Sequence, residues 1–241
     1  MGDSVTTERV GEVVLLTLNR PQVRNAINRV LAAELREGIA AAQDAGCIVI
    51  TGADPAFCAG LDLSETCRLS DMPSFSEALR GSRVPLIAAV NGAAVAGGLE
   101  IALGCDFAIA SERASFADTH LTIGIYPGPV MIDLPRRAGA AWAREMSLSG
   151  AFIDAGTALR IGLVNHVEPH GDMLRVALER AKTIAAQDAR LIQLMRADWD
   201  ETVGLPIDAA RQVHRRTIDR GGFRATRLPG RPPSRGQRKP R

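Results

Sequence analysis

Glu100 stands between Leu99 and Ile101 in the run NGAAVAGGLEIALGCDFAIAS, residues 91–111. A carboxylate among such neighbours either points to water or does chemistry, because an unpaired buried charge is costly. Three small residues, Ala96, Gly97 and Gly98, come before it. A second glycine-bearing segment, Ala56-Phe57-Cys58-Ala59-Gly60-Leu61-Asp62, lies upstream. A glycine turn at a helix N-terminus exposes backbone N–H groups and lets a ligand come close to the main chain. Two such turns side by side could aim two N–H donors at one oxygen, an arrangement suited to a polarised carbonyl or an enolate. The same glycines would also serve tight turns and close helix packing, and the residues alone leave both readings open. Neither segment has the spacing of the common phosphate-binding glycine loops.

The elements that must position these residues follow from the apolar pattern. GEVVLLTLNRP reads as a strand ended by Pro21, paired through Gly11 with the segment Val5 to Val10. Leu31, Leu35 and Ile39 recur at helical spacing in a segment that stops at Gly46. CIVITG and VPLIAAVNG read as short buried strands, ADPAFCAGLDLS as a loop, and about Gly97 to Leu103 as a helix. CDFAIAS and ASFAD read as further strands. Strand and helix thus alternate through residues 1–118, which defines an α/β fold with crossover connections. From about residue 130 the pattern is helical, interrupted by one strand at GLVNHVEP.

The chain has 241 residues, enough for a sizeable core. Hydrophobic residues make up 46% and aromatics 4%, so that core is built of small aliphatic side chains. Residues 221–241 hold seven Arg or Lys and four prolines but no acid, which leaves 22 basic and 27 acidic residues elsewhere, a charge of −5. The expected organisation is one domain over 1–220, with its core over about 1–190 and a helical part over about 130–220. The basic, proline-rich segment 221–241 is expected to be disordered. The tail gives a nucleic-acid role some basis, but nucleic acid is not the expected partner. No apolar run reaches the ~20 residues of a membrane span. Cys47, Cys58, Cys67 and Cys105 form no CxxC pair and read as free thiols of a cytoplasmic protein. Cys58 reads as a small packing residue. His166 and His170 have a spacing met in metal sites, but Pro169 intervenes and no third ligand is evident, so no metal is expected.

The segments LNRPQVRNAIN, ITGADPAFCAGLDL, VPLIAAVNGAAVAGGLEIALGCDFAIAS and ASFADTHLTIGIYPG resemble the crotonase superfamily, the enoyl-CoA hydratase/isomerase family. AREMSLSGAFIDAGTALRIGLVNHV continues the likeness, which runs in order over roughly residues 8–200. The resemblance implies a spiral of ββα units, a helical C-terminal trimerisation region, and a homotrimer or hexamer. It implies an acyl-CoA substrate whose thioester carbonyl lies between the backbone N–H groups of Leu61 and Gly97. It places the CoA moiety against Arg24, Asn25 and Ala26 and the loop Ala59, Gly60, Asp62, with Gly98 beside them. Coenzyme A belongs to the substrate, and no other cofactor is implied.

Hydratases of this family use two glutamates. One matches Glu100, a helical turn after Gly97. At the position of the second, after ASFADT, this chain has His120. Histidine carries a proton near neutral pH, so Glu100 and His120 could share the acid–base work. Asp118, two residues earlier, could reach in instead. The resulting expectation is an enoyl-CoA hydratase acting through an enolate. The alternatives are an isomerase that moves a proton with one carboxylate and an acyl-CoA-binding protein without turnover.

Overall fold

The structure is a computed structural model that describes residues 3–65 and 73–221. Contacts within the chain divide it into two units, Met1–Ala189 and Arg190–Arg241, where the sequence suggested one domain through residue 220. Residues 222–241 of the basic tail, and Cys67, lie outside the described residues.

The first unit contains two sheets. The larger has the order β1(Val5–Val10), β2(Val13–Leu18), β3(Cys47–Gly52), β5(Leu86–Val90), β7(Phe107–Ser111), β10(His166–Glu168). It is parallel except for β1, which forms the expected hairpin with β2. The smaller sheet has the order β4(Ala56–Cys58), β6(Ala93–Val95), β8(Ser115–Ala117), β9(Ile153–Asp154), antiparallel only at β9. The chain passes repeatedly from a strand of the large sheet to one of the small sheet. From the small sheet it returns through a helix: α2(Phe75–Gly81) after β4 and α3(Gly97–Gly104) after β6. This is the expected ββα spiral. Four short elements depart from the sequence reading. Residues 56–58, read as loop, form β4, while β6, β9 and α2 had no expectation. A strand of two or three residues is too short to show alternation.

The large sheet is covered on both faces, which is why its strands read as continuous apolar runs. Val14, Leu16 and Leu18 of β2 and Ile48 and Ile50 of β3 join the main core with α1(Arg29–Ala41), which contributes Leu31, Leu35 and Ile39. The alternate residues Val13, Leu15, Cys47 and Val49 pack on Met173, Ala177 and Ala181 of α7(His170–Ala185). Asn28 caps α1 by accepting from the Leu31 N–H at 2.9 Å. Helices α4(Val130–Ala138), α5(Ala140–Ser149) and α6(Ala155–Arg160) follow the small sheet. In the second unit, Asp198 of α8(Ala189–Thr202) accepts from Thr217 Oγ1 of α9(Ile207–Gly221) at 2.7 Å and pairs with His214 at 2.5 Å.

Candidate active site

The two glycine segments meet. The chain leaves β6 through Ala96, held at φ 47° and ψ −111°, and α3 begins at Gly97. Gly98 packs against the exit of β4: a Cβ there would lie 2.2 Å from the Cys58 carbonyl oxygen. Gly60, at φ +89°, lies beside the start of α3: a Cβ there would stand 3.0 Å from Val95 O and 3.6 Å from Gly97 N. Ile27 N–H donates to Gly60 O at 2.7 Å, and Asp62 N–H donates to Ile27 O at 2.9 Å. Peptide directions alternate along this extended stretch, so the Leu61 N–H between them points the other way. Gly97, as the first helical residue, has an N–H with no partner inside its helix. Leu61 and Gly97 both line a cavity of about 240 Å³.

Glu100 and His120 line the same cavity, with Phe75, Ile125, Tyr126 and Pro129 among its walls. Glu100 is 9% exposed, and its Oε1 accepts from the Val130 N–H at 3.3 Å. Gly128 keeps this approach open, since a Cβ there would stand 3.0 Å from Oε1. Burial raises the Glu100 carboxyl above its ordinary pKa, against the opposing pull of the Val130 N–H and the His120 charge. His120 is 4% exposed, with Nδ1 2.6 Å from Asp118 Oδ1. That hydrogen bond, with the charges of Asp118 and Glu100, raises its pKa against the effect of burial. Asp118 does not reach into the cavity. It is buried and bound on both oxygens, by His120 and by Ser147 Oγ at 2.5 Å. Burial pushes its pKa up, but these partners together hold it below the ordinary value.

The remaining residues expected at a substrate site fall into two groups. Arg24, Asn25 and Ala26 lie beside the loop Ala59, Gly60, Asp62, and the Ala59 N–H donates to Arg24 O at 3.0 Å. Arg24 is exposed. The Asn25 side chain, by contrast, is fully buried. Its Nδ2 donates to the carbonyls of Ala53, Ala56 and Phe57 at 2.8, 2.7 and 3.2 Å, and its Oδ1 accepts from Arg20 N. It ties the segment together and has no surface for a ligand. Gly98 faces Cys58. Arg20, which sequence reasoning missed, joins the two segments: its Nη1 lies 2.6 Å from Ala26 O and 3.0 Å from Asp62 Oδ2. Its place before Pro21 gave no sign of this.

A larger cavity of about 570 Å³ shares Tyr126 with the site but has mostly apolar walls, including Leu121, Val130, Met131 and Leu148. It holds no acid–base pair. The buried Cys58 thiol has its pKa pushed up to about 12 by desolvation. His166 lies in β10, and His170 spans Ser111 Oγ (3.1 Å) and Asp54 Oδ2 (3.2 Å). Among the described residues no group of three or more His, Cys, Asp or Glu could hold a metal. None of the described helices is long and apolar enough to cross a membrane.

A spiral of ββα turns with a buried carboxylate at the start of α3 defines a family. The profile described as Enoyl-CoA hydratase/isomerase matches residues 8–224. The chain belongs to this family. It is 33% identical to an enoyl-CoA hydratase of Mycobacterium tuberculosis, over 88% of this chain and 86% of that one. It is 32% identical to the crotonyl-CoA hydratase of Syntrophomonas wolfei, over 88% and 86%. The solved structure of an enoyl-CoA hydratase from Bacillus anthracis superposes with a TM-score of 0.83 at 29% identity, covering 90% of each chain.

Proposed function

We propose that this chain adds water across the 2,3-double bond of an enoyl-CoA thioester. The observation that carries the reading is the convergence of Glu100, His120 and the Leu61 and Gly97 segments on one cavity. The thioester oxygen would accept from the Leu61 and Gly97 N–H groups, which stabilise the negative charge that develops there. The roles need a carboxylate at Glu100 and an imidazolium at His120: the Asp118 hydrogen bond raises the His120 pKa, and the His120 charge opposes the burial that raises the Glu100 pKa. Glu100 then takes a proton from water as the water oxygen bonds to C3. The C2–C3 π pair moves toward the thioester to give the enolate. His120 gives its proton to C2, and the carbonyl re-forms. The sum is addition of one water. Proton exchange with solvent restores the ionised pair.

Arg24, Ala26, Ala59 and the Asp62 loop would receive the CoA moiety, with Arg24 facing a phosphate and Asn25 and Arg20 holding the segment in shape. The assembly would be a homotrimer or hexamer, a reading supported by exposed apolar side chains over residues 131–152, among them Ile132, Leu148 and Phe152 at 56, 74 and 58%. Light scattering that reports a monomer at micromolar concentration contradicts this. The buried thiol of Cys58 accords with the reducing cytoplasm.

The test is incubation with 2-enoyl-CoA and 3-enoyl-CoA thioesters of several lengths, with products identified by mass and chromatography. The expected product is 3-hydroxyacyl-CoA from the 2-enoyl substrates. Double-bond movement without mass gain would make the chain an isomerase. Binding without any product would make it a carrier.

A further inference from the structure

We infer that Asp118 is the positioning residue of this site. With Ser147 it forms a buried relay that holds the His120 ring with Nδ1 toward the protein and Nε2 toward the cavity. One imidazole can then stand where a second carboxylate would otherwise be needed. The inference rests on the hydration reading above.

The geometry leaves Asp118 little other use. Its side chain is 1% exposed and is absent from the cavity wall, so it does not touch a substrate. Ser147 Oγ, on α5, donates to Oδ2 at 2.5 Å. Oδ1 meets His120 Nδ1 at 2.6 Å and accepts more weakly from the His120 backbone N–H at 3.4 Å. An ionised carboxylate only accepts hydrogen bonds, so Nδ1 carries a proton in both forms of the ring. Nε2 is therefore the nitrogen that gains and loses the working proton. His120 begins the turn that leaves β8, with φ −55° and ψ −45°, so the turn brings its Nδ1 back onto the residue two before it. The charged groups that bear on the ring are Asp118 from its own segment and Glu100 from α3, while α5 presents Ser147 to the far oxygen of Asp118. Both anions favour imidazolium. Without Asp118 only Glu100 remains, and the ring is free to turn.

Four variants test this with 2-enoyl-CoA as substrate: Asp118→Asn, Ser147→Ala, His120→Gln, and Asp118→Asn with His120→Gln. Asp118→Asn is expected to lower kcat about 10²-fold, within the range of a general acid, while KM stays within about threefold. The alkaline limb of its kcat profile should move down by about one pH unit, the effect of losing one neighbouring anion. Ser147→Ala should lose roughly threefold to tenfold, as the net worth of one ordinary hydrogen bond implies. In the His120→Gln background, Asp118→Asn should cost no more than about twofold, because the two act as a unit. Nitrogen-15 spectra of the wild type should show Nδ1 protonated above and below the titration. If Asp118→Asn does not fold, Ser147→Ala and the wild-type spectrum decide the matter. The relay is overturned if the Asp118 effect persists undiminished without His120, if the pH limb stays in place, or if Nδ1 is bare. Full activity in His120→Gln would instead overturn the hydration roles themselves, whatever Asp118 does.

Discussion

Gly98→Ala tests whether the contact between α3 and the exit of β4 sets the site. The added Cβ would lie 2.2 Å from the Cys58 carbonyl oxygen, 2.8 Å from Cys58 Cβ and 2.9 Å from Cys58 C. Ordinary contact begins near 3.4 Å, and two of these three atoms are backbone, which no rotamer change removes. The start of α3 and the Cys58–Leu61 segment must therefore separate by about 1 Å, an overpacking that costs about 1–3 kcal/mol. For a chain of this size each kcal/mol lowers Tm by about 2–4 °C, so a fall of about 2–12 °C is expected. The same separation pulls the Gly97 N–H away from the Leu61 N–H. A misplacement of about 1 Å at a reacting centre lowers turnover by about 10²-fold. Thermal melts and steady-state hydration of a 2-enoyl-CoA measure the two effects. Gly81→Ala is the control, since nothing lies within 4 Å of its Cβ position. A Gly98→Ala protein that melts with the wild type and keeps its kcat/KM refutes the claim that this approach fixes the two donors.

Asn25→Ala takes a donor from three carbonyls and an acceptor from Arg20 N; a loss on the order of 3 kcal/mol is expected, read as a lower Tm. Glu100→Gln should lower hydration by about 10²–10⁴-fold. Its effect on stability has the opposite sign. Because burial raises the folded-state pKa, the stability linked to Glu100 is full below the unfolded carboxyl value and falls as pH rises through the folded one. Glu100→Gln should therefore melt at or above the wild-type temperature at pH 8, and a clear fall would contradict the direction assigned to this group. The Cys58 thiol, at about 12 and fully buried, should resist iodoacetamide at pH 8 in the native protein and react in guanidinium, as read by peptide mass spectrometry.

What the sequence displays depends on how far a residue's environment is local. CIVITG and LIAAV are legible as strands because both faces of the large sheet are covered and every residue of β3 and β5 is apolar or small. Glu100 is legible because it interrupts an otherwise apolar helix. β4 and β6 are illegible, since three residues show no alternation and their pairing is set by partners about 20 to 40 residues away, whereas β8 and β10 are legible within ASFAD and GLVNHVEP. Asn25 reads as a ligand contact, whereas its amide bridges three carbonyls brought together only by the β3–β4 turn. Ser147 gives no signal within MSLSG, because its use depends on where α5 meets the end of β8. Arg20 is hidden for the same reason: its partner Asp62 lies 42 residues on.

The position of the site follows from the small sheet. β4 pairs with β6 in parallel, Ala56 beside Ala93 and Cys58 beside Ala94. β6 pairs with β8 in parallel, Val95 beside Ala117. The chain therefore leaves three neighbouring strands at the same end. Leu61 comes three residues after Cys58, Gly97 two after Val95, and His120 three after Ala117. Glu100 adds one turn of α3 beyond Gly97, which brings a carboxylate back over the helix start. Ligands of open α/β sheets bind outside the carboxyl ends of strands for this reason. Here a small sheet, of whose strands only β8 is legible in the sequence, brings together two backbone N–H groups, a carboxylate and an imidazole from three separate segments. Any substitution that shifts the register of β6 against either neighbour should thus impair all four groups at once, whereas substitutions in the large sheet should reach them only through stability.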